Sequence, residues 1–146
     1  MPVGDPAVVC ELLSRVGSVC ILPKGHRLAS AEVVMPEDLR DEPFIALGRE
    51  DGSRQAVERV VSQHGVDLNV RFETTRSETA CGLVEAGSGI AIIDPFCASA
   101  WADRVEVRAF GADVPSDVYV VRSRQEEPSL LLQAFIEDLR VKLTLN

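Results

Sequence analysis

The sequence predicts an α/β fold built on a largely parallel sheet. Short apolar runs rich in β-branched residues alternate along the chain with segments of helical period. One of these runs, 90–93, is continuously apolar, as a strand buried on both faces is. The stretch 72–95 reads in one pass as strand, polar helix start, short helix, glycine turn and buried strand.

Each element has its own warrant. The run 16–23 ends at Pro23 and Gly25, which marks the end of a strand. Pro36-Glu-Asp-Leu39 sets proline and two acids at the start of a short helix, where a missing N–H and negative charge are both tolerated. Residues 43–47 predict a second strand, followed by a polar loop over 48–53 in which Ser53 is placed to cap the next helix. That helix carries Val57, Val60 and Val61 on one face and ends near His64-Gly65. Residues 69–74 and 90–93 predict the third and fourth strands. Between them Thr75 and Glu78 have capping-box spacing, and Ala80, Leu83 and Val84 share one face. Gly87 and Gly89 then stop the helix in a conformation that side chains resist. Residues 105–110 alternate weakly, and 118–121 form a strand after the turn-prone 111–116. Pro128 opens a final helix with Leu132, Phe135, Ile136, Leu139 and Leu143 at amphipathic spacing.

Composition narrows the function classes. The 146 residues are 46% hydrophobic, enough for a real core and too apolar for disorder. A net charge of −8 with scattered Lys and Arg argues against nucleic-acid binding by this chain alone. No apolar run approaches the ~20 residues needed to span a bilayer, and Met1-Pro-Val-Gly-Asp-Pro6 lacks the basic start and apolar core of a signal peptide. Cysteines at 10, 20, 81 and 97 show no CxxC spacing, which fits small buried hydrophobes in a reducing cytoplasm rather than a disulfide framework.

Taken together, the pieces resemble the effector-binding domain of LysR-type transcriptional regulators. The carrying segments are Val19-Cys-Ile-Leu-Pro-Lys-Gly-His-Arg-Leu-Ala29, Pro36-Glu-Asp-Leu39, Glu42-Pro-Phe-Ile-Ala46, Glu73-Thr-Thr-Arg-Ser77, Leu83-Val-Glu-Ala-Gly-Ser-Gly-Ile-Ala-Ile-Ile-Asp-Pro95 and Ala134-Phe-Ile-Glu-Asp-Leu139, in family order. Ser77-Glu-Thr-Ala-Cys and Ile93-Asp-Pro-Phe suggest the group that responds to opines and amino acids. The resemblance implies a two-lobed fold like that of periplasmic binding proteins (type II). Residues 1–42 and 109–146 would belong to lobe I and 43–108 to lobe II, with lobe I incomplete. It implies a small effector (an amino acid, opine or related carboxylate), homo-oligomers, and DNA contact only through a full-length protein, since the helix-turn-helix and linker helix have no counterpart here. It implies no cofactor. Arg27 stands where the family usually has proline after the histidine of the first segment.

Candidate contacts follow. The helix start at Thr75, Arg76 and Ser77 offers N–H groups, two hydroxyls and partial positive charge to a carboxylate, although one hydroxyl is expected to serve as a cap. Ser53 begins a second helix and is as well placed to cap as to bind. Arg49 suits an acid and Asp94 an amine, with solvated charge and a strand-end turn as their bland alternatives. Three other classes remain open: a transport solute-binding protein, which shares the fold; a small thiol or serine hydrolase using Cys81 or Ser77; and an interaction module that binds no ligand. Against catalysis, Gly87-Ser-Gly89 lacks nucleophile-elbow and dinucleotide spacing. The histidines and cysteines also lack zinc spacing, so no metal site is expected.

Overall fold

Most of the apolar runs become strands that point the same way. The computed structural model describes residues 6–125 and 127–144. In chain order the elements are β1 (Val8–Gly17), β2 (Val19–Leu22), β3 (Val33–Val34), β4 (Pro43–Leu47), α1 (Gly52–Gln63), β5 (Asn69–Thr74), α2 (Ser77–Glu85), β6 (Ala91–Ile93), α3 (Pro95–Ala100), β7 (Glu106–Phe110), β8 (Pro115–Ser123) and α4 (Leu130–Thr144). Short 3-10 helices occupy Arg27–Ser30 and Pro36–Leu39. In the second, Asp38 accepts from the Met35 N–H at 2.8 Å, and Pro36 fills the first turn as its sequence predicts.

The chain divides into two units, residues 17–116 and residues 1–16 with 117–146. These boundaries differ from the expected 42/43 and 108/109. The reason is strand pairing: β2 pairs with both β6 and β7, which ties the early segment to the middle of the chain.

In the 17–116 unit, β4 and β5 pair in parallel, as do β3 and β7, while β2 runs antiparallel to β6 and β7. A parallel bridge from Phe44 to Ile90 joins the two ladders. Ile45 N–H donates to Ile90 O at 2.8 Å, and Ile90 N–H to Pro43 O at 2.9 Å. The strand order is therefore β5-β4-β6-β2-β7-β3, parallel apart from β2. Burial follows the period of two. Cys20, Leu22, Phe44, Ala46, Ile90 and Ile92 pack on one face with Val57 and Val61 of α1. Ile21, Ile45, Ala91 and Ile93 pack on the other with Ala80, Cys81 and Val84 of α2 and Ala98 of α3. Gly87 (φ 77°) ends α2, and at Gly89 (φ 155°) an added Cβ would meet Pro43 O at 2.4 Å, so the strand junction requires glycine.

The other unit holds β1, β8 and α4. Arg124 N–H donates to Ala7 O, and Arg15 forks onto Asp117 (Nε–Oδ1 2.9 Å, Nη2–Oδ2 3.1 Å), an order of contacts that makes β1 and β8 antiparallel. Arg140 pairs with Glu11. The amphipathic face expected of α4 is not buried: Ile136, Leu139 and Leu143 are half-buried, whereas Leu132 and Phe135 are exposed, as are Leu130 and Leu131 at about four-fifths of full accessibility. The expected start at Pro128 lies two residues ahead of Leu130.

Candidate functional site

All three helices of the 17–116 unit begin at one edge of the sheet. Because β4, β5 and β6 are parallel, their C-terminal ends lie together, and α1, α2 and α3 start from them in turn. In open α/β sheets this edge is where ligands bind. Leu47 sits opposite Thr74, so the loops Gly48-Arg49 and Thr75-Arg76 leave side by side, and a Cβ on Gly48 would lie 3.6 Å from Thr75 Cγ2. As β2 is antiparallel, its start lies here too: Val19 opposes Ile93, and buried Ser18 shares a 3.1 Å hydrogen bond with Ser116 through their Oγ atoms. Nothing in the local sequence marks Ser18, because its neighbour is 98 residues away.

The three helix starts are closed differently. For α1 the N-cap is Asp51, not Ser53: Asp51 Oδ1 accepts from the Ser53 N–H at 2.8 Å and from the Ser53 hydroxyl at 2.5 Å. For α3 the N-cap is Asp94, which accepts from the Cys97 N–H at 2.8 Å. For α2 the N-cap position falls on Arg76, whose side chain makes no capping hydrogen bond. The expected Thr75–Glu78 capping box does not form. The extended backbone continues through Arg76 (φ −133°, ψ 134°), so the helix begins one residue later than that box requires. Thr75 and Arg76 are exposed and Ser77 is half-buried. The Arg76 N–H reaches Thr74 Oγ1 at a long 3.4 Å. The structure thus brings Arg49, Ser53, Thr75, Arg76, Ser77 and Asp94 to one edge, with Ser53 bonded to the Asp51 cap and Asp94 itself a cap.

Arg54 was not among the expected residues, yet it braces this edge. Its side chain is 8% exposed; Nη1 donates to Leu47 O at 2.8 Å and to Glu73 Oε2 at 2.5 Å, and Nε to Glu58 Oε1 at 2.9 Å. One guanidinium therefore ties the ends of β4 and β5 to α1. Its hydrogen bond to Glu73 holds that carboxyl below its ordinary range and raises Arg54's own pKa. Arg49 adds a looser contact, Nε to Glu73 Oε2 at 3.7 Å, and stays 82% exposed. The signal for Arg54 was its spacing: it stands three and seven residues before Val57 and Val61, on the buried face of α1.

The groups considered for catalysis are used structurally. His26 Nδ1 accepts from the Leu28 N–H at 3.2 Å, and its Nε2 lies 3.1 Å from Glu42, which also takes Arg27 Nε at 2.6 Å. This cluster sits at the opposite edge, where β2 ends and β4 begins. His64 bonds Val60 O at 2.8 Å at the end of α1. Burial pushes the Cys81 thiol up to about 12, so it is almost wholly protonated at neutral pH. Among the described residues no three of His, Cys, Asp and Glu are grouped to hold a metal, and no helix is long and apolar enough to cross a membrane. A groove of about 280 Å³ along Glu58, Ser62, Val66 and Val70 lies at the far ends of α1 and β5 from this edge.

The family model for the LysR substrate binding domain matches residues 1–143. The chain belongs to that family. The family consists of transcriptional regulators rather than enzymes. The chain is 37% identical over 134 residues to the transcriptional activator protein LysR of Escherichia coli (strain K12), covering 91% of this chain and 43% of that protein. It is 32% identical over 114 residues to the octopine catabolism/uptake operon regulatory protein OccR of Rhizobium meliloti, covering 78% and 38%. The chain thus spans less than half the length of these relatives. Its fold matches the BenM effector-binding domain in complex with benzoate (TM-score 0.76, 20% identity), covering 100% of this chain and 69% of that one. The fold is accordingly the α/β, periplasmic-binding-protein-like one of these domains.

Proposed function

We propose that this chain takes a small anionic effector at the start of α2 and forms the effector-binding and oligomerising part of a cytoplasmic LysR-type regulator that contacts DNA only as the full-length protein. The observation that carries the reading is the difference among the three helix starts: Asp51 and Asp94 close α1 and α3, while α2 is left without a side-chain cap. Its first N–H groups, Thr75, Ser77 and the guanidinium groups of Arg49 and Arg76 suit a carboxylate. Benzoate in BenM and octopine in the name of OccR are both carboxylate chemistry. Amino acids, opines and related acids are therefore the effector class. Residues 17–116 correspond to lobe II, and β1, β8 and α4 to the part of lobe I present. Regulation requires the effector to favour one arrangement of the protein over another, by differential affinity.

Thermal unfolding of the chain against amino acids, opines and aromatic acids tests this. A ligand that binds only the folded state raises Tm, by about 2.7 kcal/mol of stabilisation at a hundred times Kd. The Thr75→Ala and Ser77→Ala variants should keep the unliganded Tm and lose the shift. A cooperative transition that no acid moves would overturn effector binding by this chain. The exposed Leu130, Leu131 and Phe135 favour the oligomerising part of the proposal; a Tm that rises with protein concentration would show it.

A further inference from the structure

Two thiols meet behind the ligand edge. Cys81 lies in the buried face of α2, within the cluster that holds Ile45, Val84 and Ala98. Cys97 lies in the first turn of α3, partly exposed, its N–H held by Asp94. Their sulfurs are 3.9 Å apart and both are free. Beyond side-chain packing, with Trp101 Cη2 reaching to 3.9 Å of a Cβ added at Gly82, Arg104 just after α3 forks onto Glu85 of α2 (2.8 and 2.5 Å) and lies over the Trp101 ring. A disulfide needs sulfurs about 2.05 Å apart, so forming one requires the two to approach by side-chain rotation or a movement of α3. We propose that Cys81 and Cys97 form a reversible intramolecular disulfide that locks α2 to α3, made by a peroxide and undone by a dithiol reductant.

The chemistry balances in two steps. The Cys97 thiolate, on the accessible side, attacks one peroxide oxygen. The O–O bond breaks, the sulfur is oxidised to a sulfenic acid, and the departing hydroxide takes a proton to become water. The Cys81 thiolate then attacks that sulfur, forming the S–S bond and releasing a second water as the S–O bond breaks. The peroxide is reduced by two electrons and the two thiols are oxidised. Burial, with Glu78 and Asp94 nearby, raises both thiols, so the thiolate is scarce at neutral pH and the reaction is slow there and faster in alkali. The inference stands whether or not α2 takes an effector.

The test is a peptide map of the whole chain after hydrogen peroxide treatment, with the remaining thiols alkylated in denaturant. The expected product is a monomer lighter by two hydrogens, carrying a Cys81–Cys97 linked peptide that dithiothreitol reverses. It should form on the order of a hundredfold faster as pH rises from about 7 to about 9. Cys97→Ser should abolish the link and Cys10→Ser should leave it; the wild-type map stands even if a variant fails to fold. An oxygenated Cys97 beside a Cys81 that still alkylates, or links only between chains through Cys10, would overturn the proposal.

Discussion

Helices α1 and α2 leave adjacent parallel strands at the same edge, yet one start is closed and the other open. At α1 the chain supplies its own anion, Asp51, and beneath it the buried Arg54 clamps Leu47 and Glu73. At α2 the equivalent position is Arg76, a cation at the end of the helix that prefers anions, with Thr75 and Ser77 on either side. A helix start that satisfies itself contributes stability. One that does not leaves that contribution to whatever anion arrives, which is a condition for a ligand-dependent shift.

The contrast can be broken from either side. The largest effect is expected for Arg54→Met, which keeps the apolar stem but removes the donor to Leu47 O and the closer of Glu73's two cation contacts. It should cost about 2–3 kcal/mol in denaturant unfolding. The same variant tests a pH dependence. Glu73's pKa is lowered from its ordinary 4.5 by Arg54, so its pairing stabilises the fold above the unfolded value and is lost as pH falls through the lowered folded value. Wild-type stability should therefore decline with acid more steeply than that of Arg54→Met. Next, Asp51→Ala should cost about 1 kcal/mol by uncapping α1. Smallest in stability but sharpest in meaning, Arg76→Asp should give α2 the cap that α1 has. It should gain about 0.5 kcal/mol while abolishing the Tm shift from any carboxylate that raises the wild-type Tm.

How far these features could be read in the sequence depended on range. Periodicity placed Val57 and Val61 on the inner face of α1 and Ala80 and Val84 on that of α2, and Gly89 marked the junction that only glycine fits. The parallel sheet was legible apart from β2, whose direction no local signal carries. The caps were misplaced by one or two residues, Ser53 for Asp51 and Thr75 for Arg76. Neighbouring polar side chains compete for the same N–H groups, and the backbone decides between them. Strand β1 went unread because its partner β8 lies about a hundred residues on, as the Arg15–Asp117 pair shows. Arg54 was legible in principle, as a cation on an otherwise apolar helix face.

The most direct measurement is the set of backbone amide shifts on titrating the chain with the acid that most raises its Tm, or with benzoate. Shifts concentrated at Ser77, Glu78 and Thr79, with Ser53 and Arg54 little moved, are what the open start of α2 predicts. Shifts centred on the start of α1 or α3 instead, or saturation that leaves the α2 amides in place, would contradict it.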